Sequence, residues 1–258
     1  MIDLHCHILP HVDDGPADME EAVALGRALI EDGVDIAVAT PHGAGLLRPG
    51  AEAEIREQLA GVQMELARRG LALSLLAGLE VLLTPETPAL CREGSALTLN
   101  SGRYLLVELP PSMVPPFAGE MLFQLQLMGL VPVIAHPERN LEIASNPGLL
   151  RGMVDRGMLV QVTAGSLVGA YGTTVRKAAE ALLKRGLAHV IASDAHSAAE
   201  RPPLIRAGVR RAEELLGEEA ALAMVTSTPE AILDGRDVLP QEPRPSPRRS
   251  WHLLHLRK

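Results

Sequence analysis

The 258-residue chain has almost no aromatic side chains, since two phenylalanines, two tyrosines and one tryptophan make up only 2% of it. Apolar residues nevertheless account for 47%, so a sizeable core must consist of leucine, valine, isoleucine, alanine and methionine. The length permits one large domain or two small ones, because α/β barrels often reach this size as a single unit. The composition therefore indicates a globular protein with an aliphatic core.

Cysteine is also scarce, and the two that are present, Cys6 and Cys91, are too few for a disulfide framework. Unpaired thiols are typical of a reducing compartment. The N-terminus lacks the basic and apolar segments of a secretion signal. The longest apolar run, residues 71–83, contains Glu80 and is too short to cross a bilayer. These absences favour a cytoplasmic protein without a transmembrane segment.

Basic stretches are lacking in the body of the chain, which carries a formal net charge of −8. A protein of this kind is not expected to bind nucleic acid. The end of the chain differs, because PRPSPRRSWHLLHLRK, from residue 243, holds five basic residues and no acidic one. This composition predicts a flexible tail over residues 237–258 after a domain of residues 1–236. A segment that docks on anionic lipid or on a protein partner is the alternative interpretation.

Short apolar segments alternate with longer segments of helical periodicity up to residue 234. Helices are predicted at 17–31, 52–69, 116–129, 147–156 and 173–185, with two or three more over 202–234. Nearly continuous apolar strands, each followed by a crossover, predict a parallel α/β architecture of seven strands. The predicted strands read IDLHCH, DIAVAT, LALSLLAGLEV, RYLLVEL, LVPVIAH, MLVQVTA and LAHVIASD.

Polar side chains are concentrated at or after the carboxyl ends of these strands. In a closed barrel these ends form one rim, where α/β-barrel enzymes have their active sites, whereas an open sheet would spread them along a line. The pattern therefore favours a distorted, TIM-like (β/α)7 barrel with one site. The polar residues concerned are His7, Thr40, His42, Glu80, Glu108, His136, Thr163, Asp194 and His196.

The histidines His5 and His7 are two residues apart on the first predicted strand, so both imidazoles point to the same side. An isolated pair of this kind is weak evidence for a metal site, but the other strand ends add further nitrogen and oxygen donors. Burying so many ionisable groups without a cation costs more than the net stability of a domain. The sequence therefore predicts two or three divalent ions, and Mn²⁺, Fe²⁺, Zn²⁺ or Mg²⁺ suits these donors. Asp13 and Asp14 are equally placed as a further ligand.

A cysteine nucleophile is not indicated by the sequence. A C-x5-R loop would need arginine at residue 12 or 97, where the chain has Val12 and Leu97. The chain also has no G-x-S-x-G motif and no glycine-rich phosphate loop. If a phosphoester is cleaved, water activated by the metals must be the nucleophile.

Several stretches resemble the PHP (polymerase and histidinol phosphatase) superfamily. More narrowly, they resemble the metal-dependent protein-tyrosine phosphatases of bacterial capsule and exopolysaccharide operons. The resemblance covers residues 1 to about 234, and HPERN with SDAH and VDDG in this order makes it specific. The matching stretches are MIDLHCHILPHVDDG, ATPH, GLEV, YLLVELP, PVIAHPERN, QVTAGSLVGAYG and IASDAHS, followed by Arg201.

The resemblance implies a distorted seven-stranded barrel of the PHP type with a trinuclear metal centre, and Mn²⁺ is the expected metal. It favours Asp14 over Asp13, which is then a supporting or turn residue. The first ion is assigned His5, His7, Glu80 and Asp194; the second Glu80, Glu108 and His136; the third Asp14, His42 and His196.

Two arginines lie beside these ligands: Arg139 follows the His136 strand end, and Arg201 lies five residues after His196. A guanidinium group matches two phosphate oxygens with a planar pair of donors, which favours phosphate binding over surface salt bridges. The predicted catalytic residues are therefore Arg139 and Arg201. His42 or His196 can assist proton transfer to the leaving group.

The resemblance implies hydrolysis of phosphotyrosine in a protein, with the tyrosine-rich tail of a bacterial tyrosine autokinase as the expected partner. A small-molecule phosphomonoesterase of the histidinol-phosphate type, or a phosphodiesterase, is the first alternative. A regulatory module that keeps its metals without turnover is the second.

Overall fold

The computed structural model describes residues 1–43, 45–48, 50–93 and 97–238. Beyond position 238, the predicted tail lies outside the described residues. Mixed α/β structure with parallel strands is confirmed, since every paired strand runs parallel to its neighbour.

Eight strands form two sheets, one with the order β1-β2-β3 and one with the order β4-β5-β6-β7-β8. Isolated parallel bridges connect the sheets at both junctions, from Cys6 to Ala195 and from His42 to Glu80. The strands are β1 (Ile2–Cys6), β2 (Ile36–Ala39), β3 (Ser74–Ala77), β4 (Glu80–Leu82), β5 (Tyr104–Glu108), β6 (Val131–Ala135), β7 (Leu159–Thr163) and β8 (Val190–Ala192).

Eleven α-helices are found in the described residues, mostly in the crossovers between strands. They are α1 (Met19–Glu31), α2 (Ala51–Arg68), α3 (Thr87–Arg92), α4 (Ala118–Leu127), α5 (Leu141–Ser145), α6 (Arg151–Val154), α7 (Ala164–Val168), α8 (Thr173–Lys184), α9 (Ile205–Leu216), α10 (Glu218–Ala223) and α11 (Ser227–Leu233). Three short 3₁₀ helices lie at Leu99–Ser101, Pro137–Arg139 and Pro147–Leu150.

The start of α1 shows how local sequence defines an element. Asp18 caps the helix by accepting a hydrogen bond from the backbone N–H of Glu21, and the Glu21 carboxylate accepts one from Ala17. The first hydrogen bond satisfies a backbone donor of the first turn, and the second satisfies the N–H of the residue before the N-cap. The helix therefore begins at Met19, two residues later than its apolar periodicity predicts.

Two buried clusters divide the interior. The inner cluster takes side chains from strands of both sheets, whereas the outer cluster lies largely between strands and helices. The two sheets therefore share one apolar interior below the carboxyl ends of their strands. The inner cluster consists of Leu4, Val38, Leu99, Tyr104, Leu106, Val133, Ala135, Leu159, Val190 and Ile232.

A bulge in β1 changes which residues face this interior. Asp3 pairs with Ala37 and Cys6 pairs with Ala39, so two residues of β1 oppose one residue of β2. Such a bulge interrupts the alternation of faces along a strand. Leu4 belongs to the inner cluster, whereas Cys6 belongs to the outer one. Because of the bulge, apolar side chains of β1 fill the interior, and the histidines at and just after the end of this strand face the same interior closer to the carboxyl ends of the strands.

The prediction of seven strands is wrong at the third one, because residues 71–81 form two short strands. Gly78 lies at the break, where a Cβ atom would approach side chains of Val38, Leu99 and Thr40 to 2.9–3.1 Å. This close passage takes the chain from β3, which pairs with β2, to β4, which pairs with β5. Glu80 consequently begins a strand of the second sheet instead of ending one of the first.

The helix predictions also need corrections. The helix predicted over 147–156 is a 3₁₀ turn followed by α6, and the short helices α3, α5 and α7 are not predicted by periodicity. These helices have four to six residues, too few to show a repeat of 3.6. Among the described residues, no helix is long and apolar enough to cross a membrane.

Candidate metal centre

Eight of the nine predicted ligands lie at or after the carboxyl end of a strand, and Glu80 is the first residue of β4. His5 lies on β1 and Glu108 is the last residue of β5. The others follow β1, β2, β6 and β8 in the loops after these strands. Parallel strands bring these positions together because their carboxyl ends lie on the same side. The full set is His5, His7, Asp14, His42, Glu80, Glu108, His136, Asp194 and His196.

Four buried donor atoms converge at the centre of this group. The Nε2 atoms of His5 and His7 are 3.1 Å apart. From these two nitrogens, the distances to the carboxylate oxygens are 3.3 Å to Glu80 in both cases, and 3.4 Å and 3.5 Å to Asp194. Donors about 2.1 Å from a tetrahedral ion lie about 3.4 Å from one another. The distances from the two nitrogens are close to this value, and the ligand atoms of His5, His7 and Glu80 form one group that could hold a divalent ion.

The Glu80 carboxylate supports this interpretation. Its Oε2 atom is buried and makes no hydrogen bond of acceptable geometry within the described residues. It nevertheless lies 3.0 Å from Nδ1 of His42, besides the two contacts of 3.3 Å. A buried carboxylate oxygen left without a donor is costly. A carboxylate oxygen that lies close to several imidazole nitrogens without a hydrogen bond is typical of a site in which the oxygen and the nitrogens bind the same cation.

A second set of donors extends from the other oxygen of Glu80. Nε2 of His136 lies 2.6 Å from Glu80 Oε1. Glu108, which is half-buried, offers a ligand atom close to those of His42 and Glu80. Glu80 thus belongs to two sets at once, as a bridging carboxylate would.

A third set lies closer to solvent. Asp14 Oδ1 is 3.4 Å from Nε2 of His42 and 3.2 Å from Nε2 of His196. The side chains of Asp14 and His42 are 58% and 35% exposed, whereas those of His5 and His7 are fully buried. The cluster therefore runs from a closed interior to an open mouth, and a substrate must approach from the side of Asp14 and His42.

Both predicted arginines contact the same carboxylate oxygen. Asp194 Oδ2 lies 2.5 Å from Arg139 and 3.1 Å from Arg201. Arg201 also lies 3.2 Å from Asp14, and the Arg139 guanidinium stacks 5.2 Å above the ring of Tyr171. Two guanidinium groups therefore contact the cluster through Asp194, and that of Arg201 also lies beside Asp14 at the open mouth.

Two cavities border the cluster. One of about 150 Å³ is lined by Glu108, His136, Arg139 and Asn140, among others. The other, of about 430 Å³, is lined by Asp14, His196 and the segment that leads to Arg201. Each cavity combines candidate ligands with one of the two arginines.

The charges in the cluster hold two of its buried acids, Glu80 and Asp194, ionised, whereas burial and the charge of Glu80 raise the pKa of Glu108. Burial raises the pKa of Glu80, but the charges of His5 and His136 outweigh it and hold this pKa well below its usual range. The pKa of Asp194 is lowered in the same way by His5 and Arg139, against the effect of burial. Both acids therefore stay anionic, as metal ligands must.

The histidines fall into two groups. Burial lowers the pKa of His5, yet Glu80 and Asp194 raise it to about 9. Burial together with the charge of His7 lowers the pKa of His196 to about 4, and burial with Arg139 lowers that of His136. The pKa values of these imidazoles therefore differ with the charges that face each of them.

Two candidate ligands have unusual backbone conformations. His136 has a φ of 30° and Asp194 a φ of 52°, both in the left-handed region that side chains with a Cβ rarely adopt. Such strain persists only where the surrounding structure enforces it, and it is concentrated at functional sites.

Residues that hold the ligands were mostly missed by sequence reasoning. Gln161 accepts a hydrogen bond from His5 Nδ1 at 3.0 Å, and buried Glu138 accepts one from the backbone N–H of Thr163 at 2.9 Å. Both lie inside motifs that carry the family resemblance, but their roles depend on contacts between distant segments. Asp13, predicted as a supporting or turn residue, accepts from His7 Nδ1 at 2.7 Å and from Gly15 at 3.0 Å.

Other titratable residues lie apart from the cluster. Cys6 is buried in the outer cluster, and burial raises its pKa well above the usual value, so it stays a thiol. His189 accepts a hydrogen bond from Val160 at the opposite strand end. The carboxylate of Asp3 accepts hydrogen bonds from Ser193 and from the backbone of His5, not from its imidazole.

Comparison with known proteins gives a consistent set of relatives. The family model for capsular polysaccharide synthesis, CpsB/CapC, matches residues 1–234. The tyrosine-protein phosphatase YwqE of Bacillus subtilis is 35% identical over 249 residues, which cover 96% of this chain and 98% of that protein. A putative tyrosine-protein phosphatase, CapC of Staphylococcus aureus, is 36% identical over 206 residues, 80% of this chain and 81% of that one.

One solved structure is similar over nearly its whole length. It belongs to a set described as YwqE from Bacillus subtilis and CpsB from Streptococcus pneumoniae, unique metal-dependent tyrosine phosphatases. The superposition has a TM-score of 0.88 at 34% identity, and it covers 96% of this chain and 100% of that chain.

Proposed function

We propose, since this chain belongs to the CpsB/CapC family of capsular polysaccharide synthesis, that it is a metal-dependent phosphatase that hydrolyses phosphotyrosine in proteins. The observation that carries the proposal is the set of four converging donors. The imidazole nitrogens of His5 and His7 lie 3.1 Å apart, and each lies 3.3–3.5 Å from oxygens of Glu80 and Asp194. Relatives named as tyrosine phosphatases support the choice of substrate class.

The metal centre is proposed to hold three divalent ions. His5, His7, Glu80 and Asp194 would hold one, and Glu80 would also be a ligand of a second ion together with Glu108 and His136. Asp14, His42 and His196 hold the third. Bound divalent ions supply Lewis acids that neutralise phosphoryl oxygens and lower the pKa of a water molecule. Nitrogen and oxygen donors without thiolates favour Mn²⁺ here, with Fe²⁺, Zn²⁺ and Mg²⁺ as alternatives.

The two arginines are proposed to bind the phosphoryl group. Both guanidinium groups contact one carboxylate oxygen of Asp194 and therefore lie close together. Their remaining N–H donors can bind one anion beside that oxygen. The stacked ring of Tyr171 and the charge of Asp194 hold Arg139 in position. Preorganised donors of this kind stabilise charge that develops on a transferring phosphoryl group. The partly exposed His42 and the neighbouring His196 are placed to pass a proton to the leaving oxygen.

The protein partner is proposed to be the tyrosine-rich tail of a bacterial tyrosine autokinase. The open mouth around Asp14 and His42 suits a peptide segment, and the family description points to capsule synthesis. The free cysteines Cys6 and Cys91 are consistent with a cytoplasmic location.

The fold is proposed to be a distorted barrel of the PHP type, with the two sheets as its halves. The shared inner cluster and the bridges at both sheet junctions support this interpretation. The catalytic domain is proposed to span residues 1–236 and the tail residues 237–258, and the family match over residues 1–234 supports this division.

The test is a side-by-side assay of protein purified without chelator. We expect a phosphotyrosine peptide to be turned over far faster than histidinol phosphate, a nucleotide diester or a phosphoserine peptide of the same sequence. Removing metal should abolish turnover, and adding back Mn²⁺ should restore it. Preference for histidinol phosphate or the diester would contradict the proposal, as would inactivity of protein shown by elemental analysis to contain its metals.

A further inference from the structure

Gln161 lies in the middle of β7 with its side chain completely buried beneath the candidate metal centre. Its Oε1 atom accepts two hydrogen bonds. One comes from Nδ1 of His5 at 3.0 Å, and the other comes from the backbone N–H of His136 at 3.3 Å. A single amide oxygen therefore connects candidate ligands of the first and second ions, across segments 156 and 25 residues apart in sequence.

Asp13 repeats this pattern on the other side of the cluster. Its Oδ2 atom accepts from Nδ1 of His7 at 2.7 Å and from the backbone N–H of His42 at 2.9 Å. In both cases one side-chain oxygen accepts from the ring nitrogen of a histidine at or just after the end of β1 and from the backbone N–H of a candidate ligand that follows another strand. The only chemical difference is that one acceptor is a carboxylate and the other a neutral amide.

We infer that Gln161 is a positioning residue of the metal centre, because it connects a ligand of the first ion, His5, with a ligand of the second ion, His136. Asp13 connects His7, a ligand of the first ion, with His42, a ligand of the third ion, in the same way. This inference rests on the proposed metal-dependent function. A hydrogen bond at Nδ1 keeps the proton on that nitrogen, so the lone pair of Nε2 faces the ion. The same oxygen restrains the backbone of His136 in its left-handed conformation, which an unrestrained residue would leave.

The rest of the Gln161 side chain has no comparable role. Its Nε2 atom is buried without a hydrogen-bond partner among the described residues. Replacement by methionine, which has a similar length, therefore removes the two contacts of the oxygen and little else. Replacement by glutamate keeps an oxygen acceptor for both N–H groups.

Gln63 provides a matched control far from the metal centre. Its amide also makes two hydrogen bonds to backbone, one to the Leu73 carbonyl at 2.9 Å and one from Leu75 N–H at 2.8 Å. Gln63→Met thus removes two hydrogen bonds, as Gln161→Met does. The two bonds of Gln63 connect α2 with the segment around β3 and involve no candidate ligand. It reports the purely structural cost of losing a glutamine amide.

The experiment measures metal retention in Gln161→Met, Gln161→Glu and Gln63→Met, with elemental analysis during exposure to a chelator. We expect Gln161→Met to lose metal about tenfold or more faster than wild type, since contacts to ligand imidazoles are worth 10–100-fold in affinity. Gln161→Glu should stay within about threefold of wild type, and Gln63→Met should retain its metals while its melting temperature falls.

Equal metal loss in Gln161→Met and Gln63→Met, or none in Gln161→Met, would overturn the inference. If Gln161→Met does not fold, faster metal loss in Gln161→Glu than in Gln63→Met would overturn it, because the acceptor is preserved. Turnover of phosphotyrosine peptide by the wild-type protein is measured in parallel. An inactive protein whose metal retention follows the expected order would refute the proposed function while leaving the role of Gln161 intact.

Discussion

Both ends of the parallel strands contain buried histidines, but their chemistry differs. Just before β8, His189 is buried, and burial lowers its pKa to about 4. At the opposite ends, His5 is buried just as deeply, yet the charges of Glu80 and Asp194 overcome burial and raise its pKa to about 9. Burial alone therefore does not determine what a histidine does, since the neighbouring charges decide between a neutral core residue and a member of an ionic cluster.

The hydrogen bonds at the two ends differ in the same way. His189 makes its contact within its own sheet, to the backbone of the adjacent strand. The histidines at the carboxyl ends contact carboxylates from both sheets, and these carboxylates are held by further residues. The hydrogen bond of one end lies within its own sheet, whereas the other end combines residues of both sheets into groups that could hold a metal ion.

The largest effect is expected from Glu80→Ala, which removes the carboxylate shared by two ligand sets. Bound metal should be lost, and turnover of a phosphotyrosine peptide should fall by at least about 10³-fold. Elemental analysis with steady-state kinetics measures both quantities. The exposed Glu57→Ala variant on α2 serves as the control and should match wild type. A Glu80→Ala protein that keeps its metals would show that Glu80 is not the carboxylate on which metal binding depends.

A smaller effect is expected for the arginines that face the ligands. Arg139→Ala and Arg201→Ala should each keep metal while reducing turnover about 10²-fold, since each removes donors aimed at the phosphoryl group. Lysine at either position should restore only part of the rate, because it lacks the planar pair of donors.

The measurement is kcat and KM for a phosphotyrosine peptide, with metal content determined on the same samples. Arg27→Ala on the exposed face of α1 is the control. Wild-type rates in both arginine variants would remove these residues from the proposed phosphate site.

The smallest effect concerns the opposite strand end and changes stability alone. The unfolded chain takes up a proton on His189 below pH 6.5, whereas the folded protein does so only near pH 4. This contribution to stability is complete above pH 6.5 and is lost as the pH falls towards 4, by up to about 3 kcal/mol.

His189→Asn should remove this dependence, because an amide oxygen can accept the Val160 hydrogen bond without titrating. Denaturant unfolding of the two proteins from pH 7 to pH 4.5 measures the difference. We expect the advantage of wild type to shrink steadily as the pH falls. A constant difference over this range would mean that His189 does not titrate as its burial requires.

Sequence reasoning succeeded where the signal was local or carried by a specific motif. The parallel α/β class is confirmed, and the resemblance carried by VDDG, HPERN and SDAH is confirmed by the family match. The strand count was wrong because Leu71 to Val81 reads as one apolar run, while Gly78 allows the chain to cross between sheets. The ligand assignments to individual ions stay predictions, although the structure brings all nine side chains to one end of the strands.

The sequence by itself determined which donors this protein has, in which order they occur, and that most lie at or after the carboxyl ends of apolar strands. Periodicity and motif spacing are local properties, so they can be read from the chain. Only the tertiary structure decided which donors share an oxygen and which side chains hold them. The bulge that turns His5 and His7 inward and the amide of Gln161 beneath them depend on strand register, which arises from contacts between segments far apart in sequence.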